Sequence, residues 1–166
     1  MQHKIITLPT SHFRALARDR LTGQWPRVVI GTLIYNLVIS ALGIILTLLG
    51  RVDTSFLTLV YALLVGGPAA LGYCCFILKS YRREPVGFLD VFFGFERFVP
   101  AFLLGLFISL FTTLWTLLFI IPGIVASYRY SMSFYIMYDH PEYESNHCLE
   151  ESKRLMWGNK AKLFFL

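Results

Sequence analysis

Charge is what this chain has least of. Lys, Arg, Asp and Glu make up 15% of its 166 residues, and acidic residues are the scarcer, 10 against 15 basic. A soluble domain of this size needs a charged surface, and a mean hydropathy of +0.61 is too high for one. Cysteine is scarce as well. Cys74 and Cys75 are adjacent in an apolar run and Cys148 is far off, which fits buried thiols and excludes a disulfide framework or a cysteine metal site. The catalytic signatures are missing too: there is no HExxH, no glycine-rich phosphate loop, no GxSxG and no CxxC. No catalytic, cofactor-binding or metal-ligating residue is therefore assigned. The richest polar stretch, DHPEYESNHCLEE from Asp139 to Glu151, matches no metal-ligand spacing and reads as a solvated loop entering a surface helix. In and just beyond it, Glu150 and Arg154 are spaced for a helix ion pair, and so are His147 and Glu151. The first 27 residues carry no cleavable signal pattern, so the first apolar block is expected to stay.

What is there instead is a set of long apolar blocks. Val28 to Gly50 runs without a charge and is long enough to cross a hydrocarbon core of about 30 Å. Ser55 to Leu78 is as long and carries Gly66, Gly67 and Pro68 near its middle, which predicts one kinked spanning helix. The third block, Val99 to Tyr138, would measure about 60 Å as a single helix, so the chain has to double back inside it. Pro122 and Gly123 mark the turn, giving spans over 99–121 and 122–138. With the N-terminus in the cytoplasm, every basic residue except Arg51 and Arg129 then falls on the cytoplasmic side, as retained positive charge requires. A single uninterrupted span would send the last four basic residues outside.

Arg129 is the only charge of the third block. It can extend to the outer headgroups or to Asp53 as an anchor, or it can contact a lipid phosphate or anionic substrate together with Tyr128 and Tyr130. Each span also bears a stripe of small or weakly polar residues at helical spacing. These are Asn36, Ser40, Gly43 and Thr47, then Ala62, Gly66 and Ala70, then Gly105, Ser109, Thr112 and Thr116. Such stripes let helices approach closely in lipid, and a transport path is the less favoured reading because the spans hold so few ionisable groups.

Outside the spans, three segments are expected to lie on the membrane surface. Over 11–22, Phe13, Leu16, Ala17 and Leu21 share a side and Ser11 can cap the start. Over 86–97, Phe88, Val91, Phe92 and Phe95 recur at helical intervals between Arg82, Arg83 and Arg97, a pattern suited to anionic inner-leaflet lipids. Over 146–157, Cys148, Leu149, Ser152, Leu155 and Met156 form one face and Gly158 can end the helix. A weak repeat links GQWPRVVI at Gly23 to GNKAKLFF at Gly158, and a further span from Leu163, truncated at Leu166, is expected by analogy.

The order RALARDRLTGQW, YRREPVGFLDVFFGF, LLFIIPGIVASYRYSMSFYIMYDHPEYES and CLEESKRLMWGNKAKLFFL resembles an uncharacterised bacterial multi-pass membrane family, domain of unknown function 975. The IIPGI segment is also similar to the membrane domain of some glycerophosphodiester phosphodiesterases. The resemblance implies a plasma-membrane bundle and carries over no activity and no catalytic residue. The expected fold is all-α, a single domain over 1–166 forming a polytopic transmembrane helix bundle with amphipathic interfacial helices. The expected function is that of a non-enzymatic membrane-organising or accessory protein of the cell membrane, with a permease or transporter subunit for a small solute or lipid as the alternative. Its partners would be the bilayer and a membrane protein or a second copy, with no nucleic acid and no cofactor.

Overall fold

The structure, a computed structural model, describes residues 9–48 and 55–165, apart from the side chains of Leu42, Thr47 and Ser55. Lys4, Thr47 of the first stripe, and the short loop with Arg51 and Asp53, hence any Arg129–Asp53 pair, lie outside the described residues. Among the described residues all regular structure is helical. In chain order the helices are α1 (Thr10–Leu21), α2 (Trp25–Leu48), α3 (Ser55–Arg82), a 3₁₀ turn (Phe88–Phe92), α4 (Phe93–Glu96), α5 (Phe98–Leu118), α6 (Ile120–Tyr130), α7 (Ser133–Asp139), α8 (Ser145–Met156) and α9 (Lys160–Phe164). Two of them, α3 over Phe56–Arg82 and α5, are long and apolar enough to cross a membrane.

The doubling back comes earlier than Pro122. Phe119 is extended (φ −156°, ψ 140°), so α5 ends at Leu118 and α6 starts at Ile120. Pro122 then takes the third position of α6, still inside the first turn, where a missing N–H costs nothing. α6 returns along α5: a Cβ on Gly123 would meet Thr116, and Tyr130 stacks on Phe111 with ring centroids 6.0 Å apart. The expected single helix over 122–138 is two, of 11 and 7 residues. They are separated at Ser131 and Met132, where Ser131 Oγ–H donates to Tyr128 O at 2.9 Å.

α3 runs unbroken through Pro68 and is the centre of the molecule. It meets α2 at Gly31, against whose Cα the Phe76 ring is laid, and at a stack of Tyr35 on Tyr73. It meets α5 at Gly67 and Gly105, where a Cβ on Gly105 would lie 2.7 Å from Gly67 Cα. The 86–97 segment is not a continuous amphipathic helix. It breaks into the 3₁₀ turn and α4, and Gly94 lies so close to Pro68 and Gly72 that its own backbone packs into α3. Val91 is buried in the same contact, while Phe88, Leu89 and Phe92 stay exposed.

The core gathers where α3, α5, α6, α7 and α8 meet, around Leu71, Leu104, Ala126, Tyr130, Met137, Cys148 and Leu149. α8 is therefore not free to lie on a leaflet: Cys148, Leu149, Ser152 and Met156 face protein, and Leu155 alone of the expected stripe is exposed. Ser145 Oγ–H donates to Pro100 O and Ser152 Oγ–H to Arg129 O, fastening α8 to α5 and α6. Burial pushes the Cys148 thiol up to about 11, as befits an inert core residue. α1 begins one residue before Ser11, with Pro9 at its cap and no side-chain cap bond. The sequence repeat has a structural counterpart, since Gly23 (φ +82°) and Gly158 (φ +76°) follow α1 and α8 in the left-handed conformation that glycine tolerates best.

Candidate functional site

The basic residues expected to meet lipid lie at the end of α3 and the start of α5, and each has a partner within the chain. Arg82 Nη2 donates to both carboxylate oxygens of Asp139, at 2.7 and 2.9 Å. Arg97 Nη2 donates to Pro141 O at 2.8 Å, and Arg83 Nη2 to Asp19 O at 3.2 Å. Lys79 Nζ donates to Asp90 Oδ1 at 2.7 Å. Burial alone would push the Asp90 carboxyl up, but the Lys79 ammonium and the Gly87 N–H, bound at 2.8 Å, hold it below the usual carboxylate value. These bonds tie the ends of α1, α3 and α7 and the start of α5 into one clasp. Arg82, Arg83 and Arg97 thus act first as internal fasteners, a role that charge counting along the sequence does not reveal.

Away from the clasp, the second and third stripes face each other across a groove of about 420 Å³ between α3, α5 and α6. Ala62, Gly66, Gly67 and Ala70 line one wall, Gly105, Ser109 and Thr112 the other, and Ser127, Ser131 and Phe134 close it. The first stripe is not part of it: Asn36 and Ser40 bond back to their own helix at Thr32 O and Asn36 O. Most of the groove's hydroxyls do likewise, with Ser109 on Leu106 O, Ser127 on Ile124 O and Ser131 on Tyr128 O. Thr112 Oγ1 is buried without a partner. Sequence reasoning missed Ser127 on α6 and Ser131 just past its end, although their four-residue spacing is the same signal that marked the other walls.

Arg129 lies in a second cavity, of about 280 Å³, with Trp115, Ile121, Pro122, Val125 and Ala126. Tyr128 and Tyr130 do not join it there. Tyr128 packs edge-on against Phe164, and Tyr130 is buried on Phe111 with Lys153 Nζ 5.8 Å from its ring centre.

The acidic stretch spends its groups locally. Asp139 holds Arg82, His140 Nδ1 lies 3.1 Å from Glu142 Oε1, and Tyr143 stacks on His140 and meets His147 edge-on. Glu151 pairs with Arg154 at 3.4 Å rather than with His147, and Arg154 takes Glu151 where Glu150 was expected. Among the described residues no cluster could hold a metal ion.

In a comparison with protein families, the model described as "Protein of unknown function (DUF975)" matches residues 8–126. No curated protein and no solved structure matches the chain, so the likeness to the phosphodiesterase membrane domain gains no support.

Proposed function

We propose that this chain, which belongs to the family of proteins of unknown function DUF975, is a multi-pass protein of the cell membrane that organises or assists another membrane protein without catalysing a reaction. Membrane residence is supported by where the apolar surface lies. Only 11% of the most apolar stretch of α5 is buried inside the protein, which favours contact with lipid over the interior of a soluble domain. Leu114, Leu117, Leu118, Phe119, Ile120 and Ile121 form a contiguous exposed cap at the far end from the clasp, and lipid is the solvent that accepts it.

The groove between α3, α5 and α6 carries the functional reading. Its α3 wall leaves open space over Gly66, and its serine hydroxyls are turned back onto their own helices. Small residues with satisfied hydroxyls suit close approach of a further transmembrane helix. A photo-reactive residue in place of Ala62 or Ser109, activated in native membranes, is expected to give a discrete protein adduct, whereas one in place of Leu114 gives none. Lipid adducts alone at all three positions reject the reading.

The alternative, a permease or permease subunit, draws on the groove's volume and hydroxyl lining. Among the groove's lining residues Tyr130 is the only ionisable one, which weighs against an ion or proton path. Solute flux through proteoliposomes that Ala62→Trp blocks would favour the permease.

A further inference from the structure

The Arg129 cavity pairs one cation with apolar walls, and the geometry points to a phospholipid site: Arg129 binds the phosphate of an anionic phospholipid of the cytoplasmic leaflet, whose acyl chain runs towards the Phe119 turn against Trp115, Ile121, Pro122 and Val125. Ile121, Val125 and Arg129 recur every four residues on one face of α6. Helical side chains tilt towards the N-terminus, so the Arg129 stem runs back over Val125 towards the turn at Phe119. Its backbone is fixed, because Arg129 O accepts the Ser152 hydroxyl at 2.9 Å. Among the described residues Arg129 forms no ion pair.

A guanidinium among apolar groups is costly unless an anion meets it. A phosphodiester does so well, since its two free oxygens match two parallel N–H donors. Inorganic phosphate would satisfy the charge and leave the walls of a cavity of about 280 Å³ unfilled. The exposure of Trp115, Ile121 and Val125 leaves the cavity open to the side for a chain to enter. A lipid carrying net negative charge is favoured over a zwitterionic one, whose own ammonium group competes for the phosphate.

This inference rests on residence in a bilayer, and one experiment separates the two. The full chain is prepared with Trp115 as its only tryptophan (Trp25→Phe, Trp157→Phe) and reconstituted in mixtures of phosphatidylglycerol and phosphatidylcholine, with either lipid brominated. Bromine quenches an indole it touches. Quenching by brominated phosphatidylglycerol is expected to show about a fivefold preference over brominated phosphatidylcholine, on the scale of one cation meeting an anionic lipid. Arg129→Lys should keep most of the preference, and Arg129→Gln should bring it to parity. Val125→Phe, which fills the cavity and spares the charge, should also lower it, and it serves if Arg129→Gln loses helix content. Added inorganic phosphate should change nothing. Equal quenching by both lipids in the parent, a preference that survives Arg129→Gln or Val125→Phe, or its loss to inorganic phosphate overturns the site while leaving membrane residence standing. Absence of quenching by either lipid overturns both.

Discussion

Lys79 and Asp90 show how one pair of side chains sets a local structure. The ammonium reaches from the last turns of α3 to a carboxylate that also accepts the Gly87 N–H, so the chain leaving α3 is bent back onto it. Both side chains are about one quarter exposed or less, at 24% and 21%, which keeps the contribution near the upper end for surface pairs, about 1 kcal/mol. The Asp90 carboxyl titrates below its ordinary value of about 3.9, so its stabilisation is complete above that value and is lost as pH falls through the folded-state value. Asp90→Asn, which can still accept the Gly87 N–H, is expected to melt lower than the parent at pH 7 in detergent. The gap should close on acidification below about pH 4. A gap of the same size at pH 3 as at pH 7 would show that the charge contributes nothing.

Among the helices, what decides position is how closely two backbones can approach. Gly72 and Gly94 face each other where the segment after α3 folds back, and a Cβ on Gly72 would collide with the Val91 carbonyl, which is backbone and cannot rotate away. Gly72→Ala is expected to destabilise the protein by about 1–3 kcal/mol. Gly66, on the same helix, meets nothing within 4 Å, and Gly66→Ala should be neutral or stabilising by up to about 1 kcal/mol through helix propensity. Thermal unfolding of the two variants, followed by helical circular dichroism, tests the contrast, and equal melting temperatures contradict it. The same contacts explain what could be read in advance. Apolar length gives the long helices α3 and α5, and helical spacing gives the two stripes that meet across the groove. Glycine followed by an amide gives the matching helix ends at Gly23 and Gly158. The 86–97 segment and the α8 face also had helical periodicity, but periodicity identifies an apolar side without naming what covers it. Here Gly72 and Pro68 cover Val91 and Gly94, and the bundle covers Cys148, Leu149 and Met156. The break at Ser131 carried no proline or glycine to mark it.

For the molecule as a whole, the clasp is an argument about topology that does not depend on hydropathy. Asp139 reaches Arg82, Pro141 O reaches Arg97 and Asp19 O reaches Arg83, so the ends of α1, α3 and α7 and the start of α5 sit at one pole. α5 is 21 residues long, about 31 Å, so its far end at Leu118 lies a membrane's thickness from that pole. A chain crossing once between Val99 and Tyr138 would place Asp139 at the far end, out of reach of Arg82. If the chain spans a bilayer as proposed, the positive-inside rule would put the pole that holds Arg82, Arg83 and Arg97 in the cytoplasm and the exposed turn at Phe119 outside. Cys74, Cys75 and Cys148 are buried, so a cysteine introduced at the surface can be read against a quiet background. In intact cells a membrane-impermeant maleimide is expected to label Phe119→Cys and to leave His140→Cys untouched until the membrane is permeabilised. Labelling of His140→Cys from outside would mean that the clasp faces the exterior and that the charge rule fails here. Labelling of both from the same side would mean that α5 and the α6–α7 pair do not together span the bilayer, and the packing of α6 against α5 would then need another account.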